Sequence, residues 1–159
     1  MDQNAKKQVL RSFSYGLYAI TVNDGDKPHG MVANWVTQAA FEPPMVAVAM
    51  ERESQTLALT EQTQVFGVNV LASGQRELAG QLGRSSAKRP DKMAGIATHP
   101  GPETGVPILD EALGWLECHV VGTLPAGDHV LVLGVVIEAG VQREGQALTL
   151  AEAGFRYAG

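Results

Sequence analysis

Residues 113–139 read LGWLECHVVGTLPAGDHVLVLGVVIEA, and this stretch decides the fold class. Leu113 to Leu124 and Val130 to Ala139 are dominated by Val, Leu and Ile, side chains that suit a pleated, half-buried surface. Between them Pro125-Ala126-Gly127-Asp128 supplies turn chemistry: Pro fixes φ, Gly reaches positive φ and Asp bonds its own backbone. The stretch predicts one long β-hairpin.

Working outward, the same signature repeats. Tyr15 to Val22 is aromatic and β-branched, Asn23-Asp24-Gly25-Asp26 is a turn, and His29 to Val36 reads as the returning strand. Gln38 to Phe41 continues as strand, Pro43-Pro44 breaks it, and Met45 to Met50 is wholly apolar, as in a strand buried on both faces. Val65 to Leu71 is a further strand, Gln146 to Leu150 a closing one, and Phe155 and Tyr157 alternate in the tail from Ala151 to Gly159. Helices are fewer. Asp2 to Phe13 predicts an amphipathic lead-in helix lying on the core, Ser54 to Gln62 a helix capped by Ser54, and Ser73 to Leu82 one capped by Ser73. Gly83 to Ala94 is the longest loop, either an active-site lid or a surface excursion, and Thr98 to Pro102 is a second irregular segment. At least six strands with few helices predict a mainly β, closed or nearly closed antiparallel barrel, which also removes exposed strand edges. A doubly wound sheet is disfavoured because strand and helix do not alternate.

Bulk properties narrow the class further. The 159 residues, 45% hydrophobic and 18% charged, suit one globular domain spanning residues 1–159 and are too interrupted for a membrane span. A formal net charge of -5 repels nucleic acid, so any anionic ligand requires local donors. Cys118 is the only cysteine and reads as a packed strand thiol; with no secretion signal in Met1 to Val9, the expectation is a cytoplasmic protein. His29, His99 and His119 lack metal-ligand spacing, so no metal and no role is assigned to them. The dinucleotide fingerprint GxGxxG and the phosphate loop GxxxxGK[ST] are both absent.

Four segments then stand out: His29-Gly30-Met31-Val32-Ala33-Asn34-Trp35-Val36-Thr37, Glu42-Pro43-Pro44-Met45-Val46, Arg52-Glu53-Ser54-Gln55-Thr56 and Ala126-Gly127-Asp128-His129. Phe66-Gly67-Val68-Asn69-Val70-Leu71, Asp91-Lys92-Met93 and Leu116-Glu117-Cys118 support them. Their order resembles the flavin reductase-like, FMN-binding split-barrel family over roughly residues 10–140. No single piece is specific; the ordered set carries the resemblance. It implies an antiparallel split β-barrel with a few short flanking helices, a homodimer whose groove the second subunit completes, FMN or alternatively FAD as flavin, and NAD(P)H as reductant.

The resemblance also implies residues. Backbone groups of Ala33, Asn34, Trp35, Val36 and Thr37 would hold the flavin ring, since an extended backbone offers donors and acceptors at matching spacing. Asn34 either supports that loop or simply ties a turn. Met50, Glu51, Arg52, Ser54 and Thr56 match the stretch that binds the cofactor and its phosphate, with Ser54 as mere helix cap the alternative. Lys92 matches an element near the ring or phosphate, with Arg84 to Lys92 as a solvated basic loop the alternative, and His129 matches the histidine facing the nicotinamide, unless it is an unliganded turn-end histidine. Asn34-Trp35-Val36-Thr37-Gln38 resembles the flavoredoxin-like branch, in which FMN is held tightly and electrons pass to protein partners. Three functions follow: an NAD(P)H-dependent flavin reductase, with a monooxygenase as a conceivable partner; an FMN electron carrier reduced by another protein; or a binding module that has lost flavin.

Overall fold

Tyr18–Asp24 (β1) and Lys27–Ala33 (β2) pair antiparallel, from Tyr18 opposite Ala33 to Asp24 opposite Lys27, in a computed structural model that describes residues 1–159. The pairing leaves Gly25 and Asp26 as the connection, and Gly25 takes a φ of 59°, which a glycine adopts without a Cβ clash. Asn34 and Trp35 then break the strand before Val36–Ala40 (β3) pairs with Met45–Glu51 (β4). The expected strand from His29 to Val36 is therefore two strands. Its corner crosses from one edge of the sheet to the other, and Trp35 O accepts from Ala49 N on the far side.

Val65–Val70 (β5) follows, then a separate two-stranded ribbon of Thr98–Pro100 (β6) and Pro107–Leu109 (β7), and last the predicted long hairpin, Gly114–Ala126 (β8) and His129–Val141 (β9). The main sheet is antiparallel with seven strands in the order β2-β1-β5-β8-β9-β4-β3. Its two edge strands follow one another in the chain, and Ile20, Val48, Phe66, Cys118 and Val132 from five different strands share one buried cluster. The sheet thus curls around that interior. A second cluster, including Leu17, Leu71, Leu82, Leu109 and Leu148, packs the chain between β7 and the helices on the other side of β1. β4 is buried on both faces over Val46 to Val48, as its apolar run predicted.

The helices are Gln3–Arg11 (α1), Gln55–Thr63 (α2), Arg76–Leu82 (α3) and Leu150–Ala153 (α4). Several expectations need correction. α1 buries no residue; it lies along the C-terminal tail, with Arg11 Nε donating to Ala158 O over 3.2 Å, because the interior is already filled by the sheet. Ser73 does not cap α3: its hydroxyl donates to Glu152, and Gln75 occupies the cap position. Thr98 to Pro100 is strand rather than loop. The closing strand from Gln146 to Leu150 is reduced to isolated bridges, Gly16 to Thr149 and Ala72 to Ala147. The tail beyond α4 forms no strand.

Candidate functional site

A cleft of about 770 Å³ opens where the β2–β3 corner, the β4–α2 junction, the loop after α3, the β8–β9 turn and the C-terminal tail converge. Its size falls within the ~300–1,000 Å³ of small-molecule sites. Its two ends differ in chemistry.

One end is cationic. Ser54 caps α2, its hydroxyl accepting from Leu57 N at 3.2 Å, and the helix start directs a partial positive charge toward the cleft. Thr56 is buried, with its hydroxyl 2.9 Å from His29 Nε2. Lys92 is only 5% exposed; its ammonium reaches the carbonyls of Leu82 at 3.5 Å and Arg84 at 3.3 Å and pairs with no carboxylate. Burial lowers the Lys92 pKa. Burial, and then the charge of Lys92, push His29 down to about 4 against the opposing pull of Asp24. Two basic groups thus sit together, the Lys92 ammonium with no carboxylate within ion-pair distance.

The other end is aromatic. Trp35 packs tilted against His129 and Tyr157, with ring centroids 4.7 and 5.4 Å away. Trp35 Nε1 is buried with no hydrogen-bond partner. Asn34 Nδ2 donates to Tyr157 O at 3.0 Å, so Asn34 ties the tail to the β2–β3 corner. His129 Nδ1 lies 2.7 Å from Asp128 Oδ1 and Nε2 lies 3.2 Å from Tyr157 Oη, which donates to Glu51 Oε1 at 2.5 Å. Burial, and then Glu51, raise the Tyr157 hydroxyl well above the usual phenol range. The bond to His129 holds the exposed Asp128 carboxyl below its usual value.

Of the residues singled out in the sequence, Ala33, Asn34, Trp35, Glu51, Ser54, Thr56, Lys92 and His129 all line this cleft. Val36 and Thr37 do not; they pair in β3 with Val48 and Ala47 of β4. Met50 is fully buried in the main core. Arg52 braces the β8–β9 turn instead, donating to Gly127 O at 2.8 Å. The sequence reading missed Arg84 to Ser86, Phe155 and Tyr157 on the cleft wall, and it missed His29, held behind Thr56. Only the hydroxyls and basic side chains of the 83–94 loop gave a signal for any of these.

The curled antiparallel sheet thus carries a cleft with an orphan donor at an aromatic end and, at the other, a buried cation without a carboxylate partner. Residues 10–159 match the flavin reductase like domain, and the chain belongs to that family. It is similar to the high molecular weight rubredoxin of Moorella thermoacetica, 38% identical over 91% of this chain and 63% of that protein. It is also similar to a flavin reductase of Pseudomonas putida, 32% identical over 98% of this chain and 89% of that one. Among solved structures, the NADH:FAD oxidoreductase SgcE6 of Streptomyces globisporus in complex with NAD and FAD fragments aligns with a TM-score of 0.85 at 28% identity, covering 98% of this chain and 92% of that one. The chain spans under two thirds of the Moorella protein, and it spans 25% and 23% of two diflavin flavoproteins of Nostoc. The residues present fit a flavin nucleotide: the unpartnered Trp35 Nε1 suits an acceptor on the ring edge, and Lys92 suits a phosphate.

Proposed function

We propose that this chain is an NAD(P)H-dependent flavin reductase that binds FMN, with FAD the alternative flavin, in a split barrel. When bound, the flavin supplies a ring that takes a hydride from a nicotinamide at N5. The chain's own residues bind and orient. The backbone of Ala33 to Trp35 and the Trp35 indole N–H hold the ring edge; Ser54, Thr56 and Lys92 hold the phosphate; Trp35 walls the ring from water; and His129 faces the nicotinamide. One observation carries the reading: the cleft joins Asn34 and Trp35 to Ser54 and Lys92 without interruption, as a ligand with a planar head and an anionic tail requires.

The test is a titration with FMN and with riboflavin, which lacks the phosphate, using the double variant Ser54→Ala, Thr56→Ala. The expected result is a rise of roughly tenfold or more in the FMN dissociation constant with riboflavin little changed; an unchanged FMN constant removes the phosphate site. Mixing the flavin-loaded protein anaerobically with NADH or NADPH then examines the reaction. Rapid bleaching of the flavin band is expected.

A second reading, an FMN electron carrier reduced by a protein, draws support from one feature. Both ring nitrogens of His129 are engaged, by Asp128 and Tyr157, so neither is free for a nicotinamide while the tail is docked. Absence of bleaching would select this reading.

The remaining features of the reading are a homodimer, a reducing cytoplasmic setting and a downstream monooxygenase or electron-transfer protein. The dimer is supported by exposed apolar side chains, with Phe41 88% and Leu124 61% exposed. The setting is supported by a single buried thiol. No helix is long and apolar enough to cross a membrane.

A further inference from the structure

The hydrogen bonds around His129 form a chain whose protons can be counted. Asp128 and Glu51 close its two ends, and a carboxylate only accepts. Tyr157 has one hydroxyl proton, its phenol is held in the protonated form, and it lies 2.5 Å from Glu51 Oε1 but 3.2 Å from His129 Nε2. The proton therefore lies toward Glu51 and the phenol oxygen faces His129 as an acceptor. That arrangement asks His129 Nε2 to donate, and Nδ1, 2.7 Å from Asp128 Oδ1, to donate as well. A neutral imidazole has one N–H and satisfies only one of these contacts.

The groups packed around the ring come from four elements. The β8–β9 turn brings Asp128, the end of β4 brings Glu51, the tail brings Tyr157, and the β2–β3 corner brings the uncharged Trp35 ring. The basic side chains in the vicinity are Arg52, bound to Gly127 O, and Arg156, on the cleft wall. The two carboxylates are the groups in hydrogen-bond sequence with the imidazole.

We propose that Glu51 and Tyr157 are positioning residues that keep His129 doubly protonated, placing a cation at the aromatic end of the cleft that favours the anionic, two-electron-reduced flavin over the neutral oxidised one. The inference rests on the reading that the flavin ring lies beside Asn34 and Trp35. It also assigns the C-terminal tail a role in the site: Tyr157 sits 106 residues from Glu51 in the sequence yet sets the charge of the ring end.

The first measurement is made on the ligand-free protein, by ¹⁵N spectra of the histidine rings near pH 7, where a free imidazole is mostly neutral. Both His129 nitrogens are expected in the protonated range. Tyr157→Phe, which keeps the ring on Trp35, is expected to move Nε2 to the unprotonated range and leave Nδ1 in place. Glu51→Gln is expected to do the same, because the amide can donate to the Tyr157 oxygen and release the phenol proton to Nε2. An unprotonated Nε2 in the unmodified protein overturns the proposal, as does an Nε2 that stays protonated in both variants.

The second measurement is the ratio of affinities for reduced and oxidised FMN, which should fall roughly tenfold in either variant, the worth of one charge across a half-exposed cleft. A ratio unchanged while the imidazole has become neutral breaks the link to the flavin. A protein that binds neither form removes the reading of the preceding subsection, yet the imidazole spectra still decide the proton count.

Discussion

At the scale of single residues, buried basic groups distinguish this site from an ordinary surface cleft. His29 lacked any spacing that would mark it, and the sequence assigned it no role; the fold buries it against Thr56 and beside Lys92. Its native pKa of about 4 lies below the 6.5 of the unfolded chain, so between those values the unfolded state binds more protons and stability rises with pH. The contribution is complete above about pH 6.5, declines as the pH falls and levels off below about 4. Denaturant titrations should show the protein losing of order 1–2 kcal/mol more than a His29→Gln variant across that window, after allowance for solvent screening. Equal losses would remove His29 from the account. Lys92→Met should raise the FMN dissociation constant about tenfold or more while leaving riboflavin unaffected, since a charged hydrogen bond is worth roughly 1.5–3 kcal/mol. Cys118 was legible from its apolar run alone: it is fully buried, and burial followed by Glu117 pushes its thiol up to about 12. It is expected to resist thiol reagents until the chain unfolds.

At the scale of elements, strands were easier to read than helices. The β8–β9 hairpin and the β1–β2 hairpin appear where period, branched residues and turn glycines placed them, because those signals are local. Helix α2 begins after its predicted cap, Ser54. α1 and the cap of α3 were misread for one reason: an apolar stripe or a serine specifies a preference for some partner, and the neighbouring chain decides which partner is present. Gly134 illustrates an element-level constraint. It lies in the middle of β9, and a Cβ there would meet Phe66 Cζ at 2.5 Å and Cys118 Cβ at 3.0 Å. Gly134→Ala is expected to cost about 1–3 kcal/mol through overpacking, read as a lower Tm with the flavin site otherwise intact. A variant as stable as the parent would mean that Phe66 has room to move.

At the scale of the whole molecule, the cleft exists because the C-terminal tail meets segments from the first two thirds of the chain. The β2–β3 corner, the start of α2 and the 84–87 loop form its wall, and the tail enters last. If Phe41 and Leu124 cover a second copy, Leu124→Glu combined with Phe41→Glu should give a monomer in sedimentation and weaken flavin binding together. An unchanged sedimentation coefficient would place the dimer surface elsewhere. The amino-acid sequence by itself determined the antiparallel β architecture, the turn positions, the buried thiol and, through an ordered set of short motifs, the stretches that line the cleft. It could do so because strand period and turn chemistry act over a few residues. Only the tertiary structure decided that Val36, Thr37, Met50 and Arg52 stand off the cleft, and that His29 and Tyr157 belong to its surroundings. The Tyr157 carbonyl meets Asn34 across 123 residues, and a contact of that span leaves no local pattern, since it exists only once the sheet has curled and brought both segments to one place.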